Sequence, residues 1–195
     1  MRADQKEITN WLSKTIGNNS FNIEELRQEA SDRKYYRIKA DNVSYVLADN
    51  FDKTDQSANF LYASKILKNS SVNVPEVLAF SEDLRFLLLQ DLGDKSLDTD
   101  NEFKDEKILE MALEQLSKIY FSDQDVLRSA TKESLLLQTN SFIDFCKENK
   151  LSHDDLKALE NLRNNLVQNL LNQQFIPSHN DFERRNLMMF EENLF

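Results

Sequence analysis

The spacing of apolar residues changes character once along this chain, near Gly93, and that change restricts the fold more than any other feature. Ahead of it, short β-rich runs alternate with helical stretches. Residues 4–16 place Ile8, Leu12 and Ile16 on one stripe with Trp11 beside it, which predicts an amphipathic helix. Residues 21–27 alternate loosely, as a strand does. The runs YYRIKA and SYVLA flank Asp41-Asn42 and predict a hairpin. Residues 54–69 carry Phe60, Ala63 and Leu67 at helical spacing. Residues 74–80 and 85–89 predict a second strand pair around Ser81-Glu82-Asp83, with Pro75 at a strand start or edge. Beyond Gly93, residues 104–120, 132–149 and 154–172 predict three helices, the last capped by Ser152. A short apolar piece, Phe175-Ile176, then enters a polar loop and a final strand. This order predicts an α+β chain with a strand-rich first half, a hinge near 90–94 and a helical second half. A helix bundle would lack the first half.

Composition narrows the function classes. There are only two Gly and two Pro, so turns are expected to use Asn, Asp and Ser, which tolerate left-handed backbone. An apolar content of 40% suffices for a core, and no apolar run reaches the length of a membrane span. The start, MRADQKEITNWL, lacks the basic-then-apolar pattern of a secretory signal. Cys146 is the one cysteine, which excludes an internal disulfide and fits a reducing cytoplasm. A net charge of −10 without a basic tail argues against nucleic acid and anionic lipid as partners. No Walker A or G-x-S-x-G pattern is present, and one Cys with two distant His gives no zinc set. Cys146 is expected as a buried thiol, His153 as an exposed helix start, and Trp11 as core.

Residues 178–190 read SHNDFERRNLMMF. They contain H-x-D-x-x-x-x-N as His179, Asp181 and Asn186, followed by the apolar run Leu187-Met188-Met189-Phe190. In protein kinases this spacing marks the catalytic loop: the Asp orients or accepts the proton of the attacking hydroxyl, and the Asn holds magnesium. The chemistry needs the spacing, because a short loop must put one carboxylate beside the nucleophile and one amide oxygen beside the metal. A polar helix-to-strand loop without chemistry is the other reading of the same residues.

With both halves placed, the chain resembles the aminoglycoside phosphotransferase family of kinase-like enzymes, and within it the bacterial anomeric N-acetylmuramate/N-acetylglucosamine kinases of cell-wall recycling. The likeness is carried by EASDRKYYRI (29–38), SYVLADN (44–50), VNVPEVLAF (72–80), LLLQDLGD (87–94) and HNDFERRNLM (179–188), in family order. It implies a protein-kinase-like bilobal fold. Residues 1–92 would be the nucleotide-binding lobe, with an antiparallel sheet and helices. Residues 93–195 would be an incomplete helical lobe ending after the catalytic loop. It implies ATP and Mg2+ as cofactors and a sugar or amino-sugar acceptor. Asp181 would be the catalytic base and Asn186 the metal ligand. His179 would have an architectural role. Arg185 would balance phosphate or substrate charge, or form a surface ion pair. Main-chain groups near Gln90 and Leu92 would meet the adenine edge. Residues 29–37 would close over the phosphates, with Ser31 donating a hydroxyl and Arg33 or Lys34 supplying charge; a solvated charged turn is the alternative there.

Three departures from the kinase pattern stand out. Ala48 occupies the place of the lysine late in the third strand, which leaves Arg33, Lys34 and Arg37 as candidate phosphate cations. The phosphate loop has no Gly near Gln28. The D-F-G-like segment that supplies the second metal-binding Asp is absent, so the chain is expected to be a fragment of a longer enzyme and, as written, inactive. Other expectations for the same fold are a kinase for an aminoglycoside, choline or another small alcohol, and a pseudokinase-like module that binds without turnover.

Overall fold

The computed structural model describes residues 5–26, 33–51, 54–98, 105–122 and 130–195. Five strands form an antiparallel sheet: β1 (Asn22–Glu25), β2 (Lys34–Ala40), β3 (Val43–Asp49), β4 (Val77–Phe80) and β5 (Phe86–Gln90), in the order β1-β2-β3-β5-β4. The β2–β3 hairpin turns at Asp41-Asn42, with Asp41 at φ 52°. β5 returns beside β3 and leaves β4 at the edge, so Pro75, just ahead of β4, interrupts no ladder bond. As an inner strand, β5 is covered on both faces, which is why Phe86-Leu87-Leu88-Leu89 is continuously apolar instead of alternating.

Register decides which side chains share a face. Tyr45 pairs with Gln90 and Asp49 with Phe86. Leu47 and Leu88 therefore join Ile38 and Phe86 under α1 (Gln5–Ile16), whose Ile8 and Leu12 fill that face. Trp11 stacks on Phe86 at 5.4 Å, as core. Val46, Ala48, Leu87 and Leu89 lie on the opposite face, under Phe60 and Leu61 of α2 (Thr54–Asn69).

The helical part comprises α3 (Glu106–Tyr120), α4 (Lys132–Gln138), α5 (Asn140–Glu148) and α6 (His153–Leu171). Ser152 caps α6, its Oγ accepting from the Asp155 amide at 3.1 Å. The single helix expected over 132–149 is instead two. Thr139 donates its hydroxyl to the Leu136 carbonyl at 2.9 Å within the polar run Thr139-Asn140-Ser141, and residues of that type compete with a continuing helix. Phe175-Ile176 takes up no regular structure. Cys146 is buried on α5 and His153 is exposed. No helix among the described residues is long and apolar enough to cross a membrane.

The chain divides into two compact units, residues 1–122 with 178–195, and residues 123–177. In the second, α4 and α5 pack on α6. The first contains the sheet, α3 and a final hairpin of β6 (Met189–Phe190) and β7 (Asn193–Leu194). Left-handed backbone falls on Asp41, Ser71 and Asn180, as the composition suggests, but also on Leu84, Lys150, Glu191 and Glu192. The β6–β7 turn needs positive φ at both central residues, and here two glutamates adopt it, at 47° and 65°.

Candidate active site

β5 ends at Gln90, whose amide donates to the Glu76 carbonyl at 2.8 Å and whose side-chain Oε1 accepts from the Glu76 amide at 3.2 Å. Side chain and amide are both committed to the segment leading into β4, so what Gln90 can offer a ligand is its carbonyl. Leu92 likewise buries its side chain. Gly93 follows at φ 78°, and a Cβ built there meets nothing within 4 Å. The glycine is needed for backbone conformation, not for space.

Asp91 turns inward between these residues. Its carboxylate accepts from Ser44 Oγ at 2.5 Å, from Arg37 Nε at 2.8 Å and Nη2 at 3.1 Å, and from the Gly93 amide at 2.9 Å. Arg37 also donates to the Gly93 carbonyl at 3.1 Å and grips both oxygens of Asp94, at 2.9 and 2.8 Å. Burial pushes the Asp91 carboxyl up, but the hydrogen bonds from Ser44 and Arg37 outweigh it and hold it below the usual carboxylate range. The bond to Asp94 is the largest influence on Arg37, and despite the opposing effect of burial the two carboxylates raise its already high pKa.

The second half of the site is the loop predicted from sequence. Asn180 takes φ 64°, and a 3-10 turn over Arg184–Asn186 folds the chain back. Asn186 Nδ2 then donates to the Asp181 carbonyl at 3.0 Å and to Asp181 Oδ2 at 2.7 Å. With the amide nitrogen so engaged, Asn186 Oδ1 is the atom left to face a cation. The loop is held from beneath. Arg184 donates to the Leu97 carbonyl at 3.2 and 3.0 Å, and the Leu97 amide donates to the Leu187 carbonyl at 2.9 Å. Leu97 and Leu187 are buried with Ile108 and Leu194. Phe182 packs on that cluster, and His179 stacks edge-on against Phe182 at 5.6 Å. Asn73 ties this part to the rest of the unit, its side chain donating to the Leu194 carbonyl at 2.8 Å and its backbone amide to Gln115 Oε1 at 2.9 Å. Arg185 is ion-paired with Glu183.

Both halves border one cleft of about 810 Å³. Gln90, Leu92, Asp181 and Asn186 line it together, with apolar walls from Val46, Phe60, Leu89 and Met188. Its size and apolar walls suit a nucleotide base, since ligand pockets run from roughly 300 to 1,000 Å³. Asn186 Oδ1 and the Asp181 carboxylate are hard oxygen donors of the kind magnesium prefers. Among the described residues no group of three or more His, Cys, Asp or Glu is placed to hold a metal.

Lys34 and Arg33 are not among the lining residues. Lys34 is ion-paired with Glu25. Arg33 reaches Gln56 Oε1 on α2 at 3.2 Å and the hydroxyl of Tyr35, a lining residue, at 3.5 Å. Arg37 lines the cleft and donates to Asp91, Asp94 and Gly93. Ser31 lies outside the described residues. Ala48 is buried among Leu87, Leu89 and Phe60. The Arg37–Asp91–Asp94 cluster is what sequence reading missed. Its members are 54 and 57 positions apart, and nothing local marks the pairing.

Two curated relatives are N-acetylmuramate/N-acetylglucosamine kinases. That of Neisseria meningitidis serogroup B is 28% identical over 196 residues, covering 95% of this chain and 58% of that protein. That of Pseudomonas aeruginosa is 28% identical over 171 residues, covering 85% and 51%. The chain thus spans about half the length of the curated relatives it matches. Among solved structures, the streptomycin–ATP complex of APH(2″)-IIa superposes with a TM-score of 0.65 at 20% identity, covering 100% of this chain and 70% of that one. Aminoglycoside phosphotransferase APH(4)-Ia with AMP-PNP and hygromycin B superposes at 0.61 and 14% identity, covering 96% and 68%. These likenesses establish the α+β kinase-like fold. Residues 22–195 also match the phosphotransferase enzyme family (APH), and with nearly the whole chain so covered, this protein belongs to that family.

Proposed function

We propose that this protein acts as an ATP- and magnesium-dependent small-molecule kinase whose acceptor is a sugar hydroxyl, the anomeric one of N-acetylmuramate or N-acetylglucosamine. The observation that carries this reading is the 2.7 Å bond between Asn186 and Asp181 inside the cleft that Gln90 and Leu92 also line. Asp181 accepts the acceptor's proton as its oxygen attacks the γ-phosphorus. Asn186 holds Asp181 in place by its amide nitrogen and presents Oδ1 to magnesium. Bound magnesium supplies charge neutralisation on the phosphates. Main chain at Gln90 and Leu92 receives the base. Ser31 serves the phosphate end. In this reading residues 1–92 form the nucleotide lobe, residues 93–195 belong to the helical lobe, and the protein works in the cytoplasm.

The amino-sugar acceptor is supported by what the two curated relatives are named for, and an aminoglycoside acceptor by the ligands of the solved relatives. A binding module without turnover is favoured by one observation, the buried Ala48 where kinases carry a lysine. Transfer of labelled γ-phosphate from Mg-ATP to N-acetylmuramate, N-acetylglucosamine, streptomycin and choline, assayed with the full-length protein, separates these readings. Label on the amino sugars is the expected result. Nucleotide binding without any transfer points to the module, and no nucleotide binding at all overturns the kinase reading.

A further inference from the structure

We infer that Arg37 is a positioning residue for the nucleotide base: it fixes the main chain of residues 91–94, so that loss of Arg37 erodes discrimination between bases. This rests on the nucleotide reading above. Arg37 stands on β2, opposite Val46, whose side chain forms a wall of the cleft. From there its guanidinium crosses to the hinge and meets Asp91, Asp94 and Gly93. Nε and Nη2 hold the two oxygens of Asp91, Nη1 and Nη2 hold the two oxygens of Asp94, and Nη2 also holds the Gly93 carbonyl. Asp91 completes the brace by accepting from the Gly93 amide, and Ser44 on β3 holds Asp91 from the other side.

Two consequences follow from this geometry. Both backbone groups of Gly93 are occupied, so Gly93 is not where a base bonds. The Gln90 amide is likewise taken by the Glu76 carbonyl, so recognition falls on the Gln90 carbonyl and the main chain of Asp91 and Leu92, whose peptide planes are set by the brace. Arg37 itself lines the cleft, but its Nε, Nη1 and Nη2 are each bonded to Asp91, Asp94 or Gly93, so its effect on a ligand runs chiefly through the hinge. Adenine and guanine present opposite donor and acceptor patterns along the edge a hinge would meet. A fixed main chain matches one and leaves unpaired groups against the other, whereas a loosened one can turn to suit either. A glycine at φ 78° within the hinge makes such loosening easy once the brace is gone.

The test uses calorimetric titration of the full chain with Mg-ATP and with Mg-GTP, alongside thermal melts. The unmodified chain is expected to prefer ATP. In Arg37→Met, ATP affinity is expected to fall about tenfold and GTP affinity by less than about threefold, so the preference collapses. A variant that keeps the parent's preference, or that loses both nucleotides by the same factor, overturns the assignment. If Arg37→Met does not fold, Ser44→Ala substitutes for it. Ser44 is not among the cleft residues, and its removal frees one side of Asp91. A narrowed preference in Ser44→Ala supports the brace, and an unchanged one overturns it. A parent chain that binds neither nucleotide overturns the kinase reading and this inference together; one that binds ATP while Arg37→Met is indistinguishable from it overturns this inference alone.

Discussion

Asp181 and Asn186 are close enough in sequence for a single loop to bring them together, and the structure joins them by a 2.7 Å bond. That part of the site was legible because both partners lie within one motif. If Asp181 takes the acceptor proton, Asp181→Asn lowers single-turnover phosphate transfer by roughly 10²–10⁴-fold while leaving the nucleotide dissociation constant within a few-fold. Equal losses in both would move Asp181 from proton transfer to binding. Arg37 and Asp91 were not legible, because charged residues are frequent in this chain and nothing in their neighbourhoods distinguishes a buried pair from solvated ones. Both side chains are nearly inaccessible, at 11% and 8% exposure. Removing one partner strands the other, so Arg37→Met costs about 3 kcal/mol in urea unfolding. The pH dependence has a definite sign. The folded Asp91 carboxyl lies below its ordinary value, against about 3.9 in the unfolded chain. Its contribution is therefore complete above about pH 4 and is lost as pH falls through the lower folded value. Asp91→Asn should destabilise at pH 7, and the gap from the parent should close below about pH 4.

At the level of elements, periodicity was a reliable guide wherever one face is buried. α2 occupies residues 54–69 as its apolar spacing predicts, and β2 and β3 flank Asp41-Asn42 as their β-rich runs predict. The break between α4 and α5 was hidden because apolar spacing continues across Thr139, and the interruption comes from a hydroxyl competing for a carbonyl. Turn chemistry was partly hidden for a similar reason. The β6–β7 turn imposes positive φ on Glu191 and Glu192, although the sequence offers neither Asn nor Gly there. Replacing them by Asn-Gly removes that strain, so the double substitution Glu191→Asn, Glu192→Gly should raise stability by about 1 kcal/mol in chemical denaturation. A loss of stability would mean that the glutamate side chains make compensating contacts. In the sheet, Leu88 fills the α1 face from the inner strand, and Leu88→Ala should cost about 2–5 kcal/mol.

For the whole molecule, the way the chain divides does not follow from the change in apolar spacing. Residues 178–195 return to the unit formed by residues 1–122, while residues 123–177 pack separately. The return depends on long-range bonds, such as Asn73 to Leu194 and Arg184 to Leu97, that no local pattern announces. It places the catalytic-type loop in the same unit as the hinge, so one cleft receives both halves of the site. Ligand binding to the folded form should stabilise this unit by linkage: at a hundredfold excess of Mg-ATP over its dissociation constant the gain is about 2.7 kcal/mol. The most direct test is hydrogen exchange of the full chain with and without Mg-ATP, followed peptide by peptide. The account predicts added protection in two separated stretches at once, residues 86–94 and residues 179–189, with the second weakened in Asn186→Ala. Protection confined to one stretch, or none in either at saturating Mg-ATP, would contradict it.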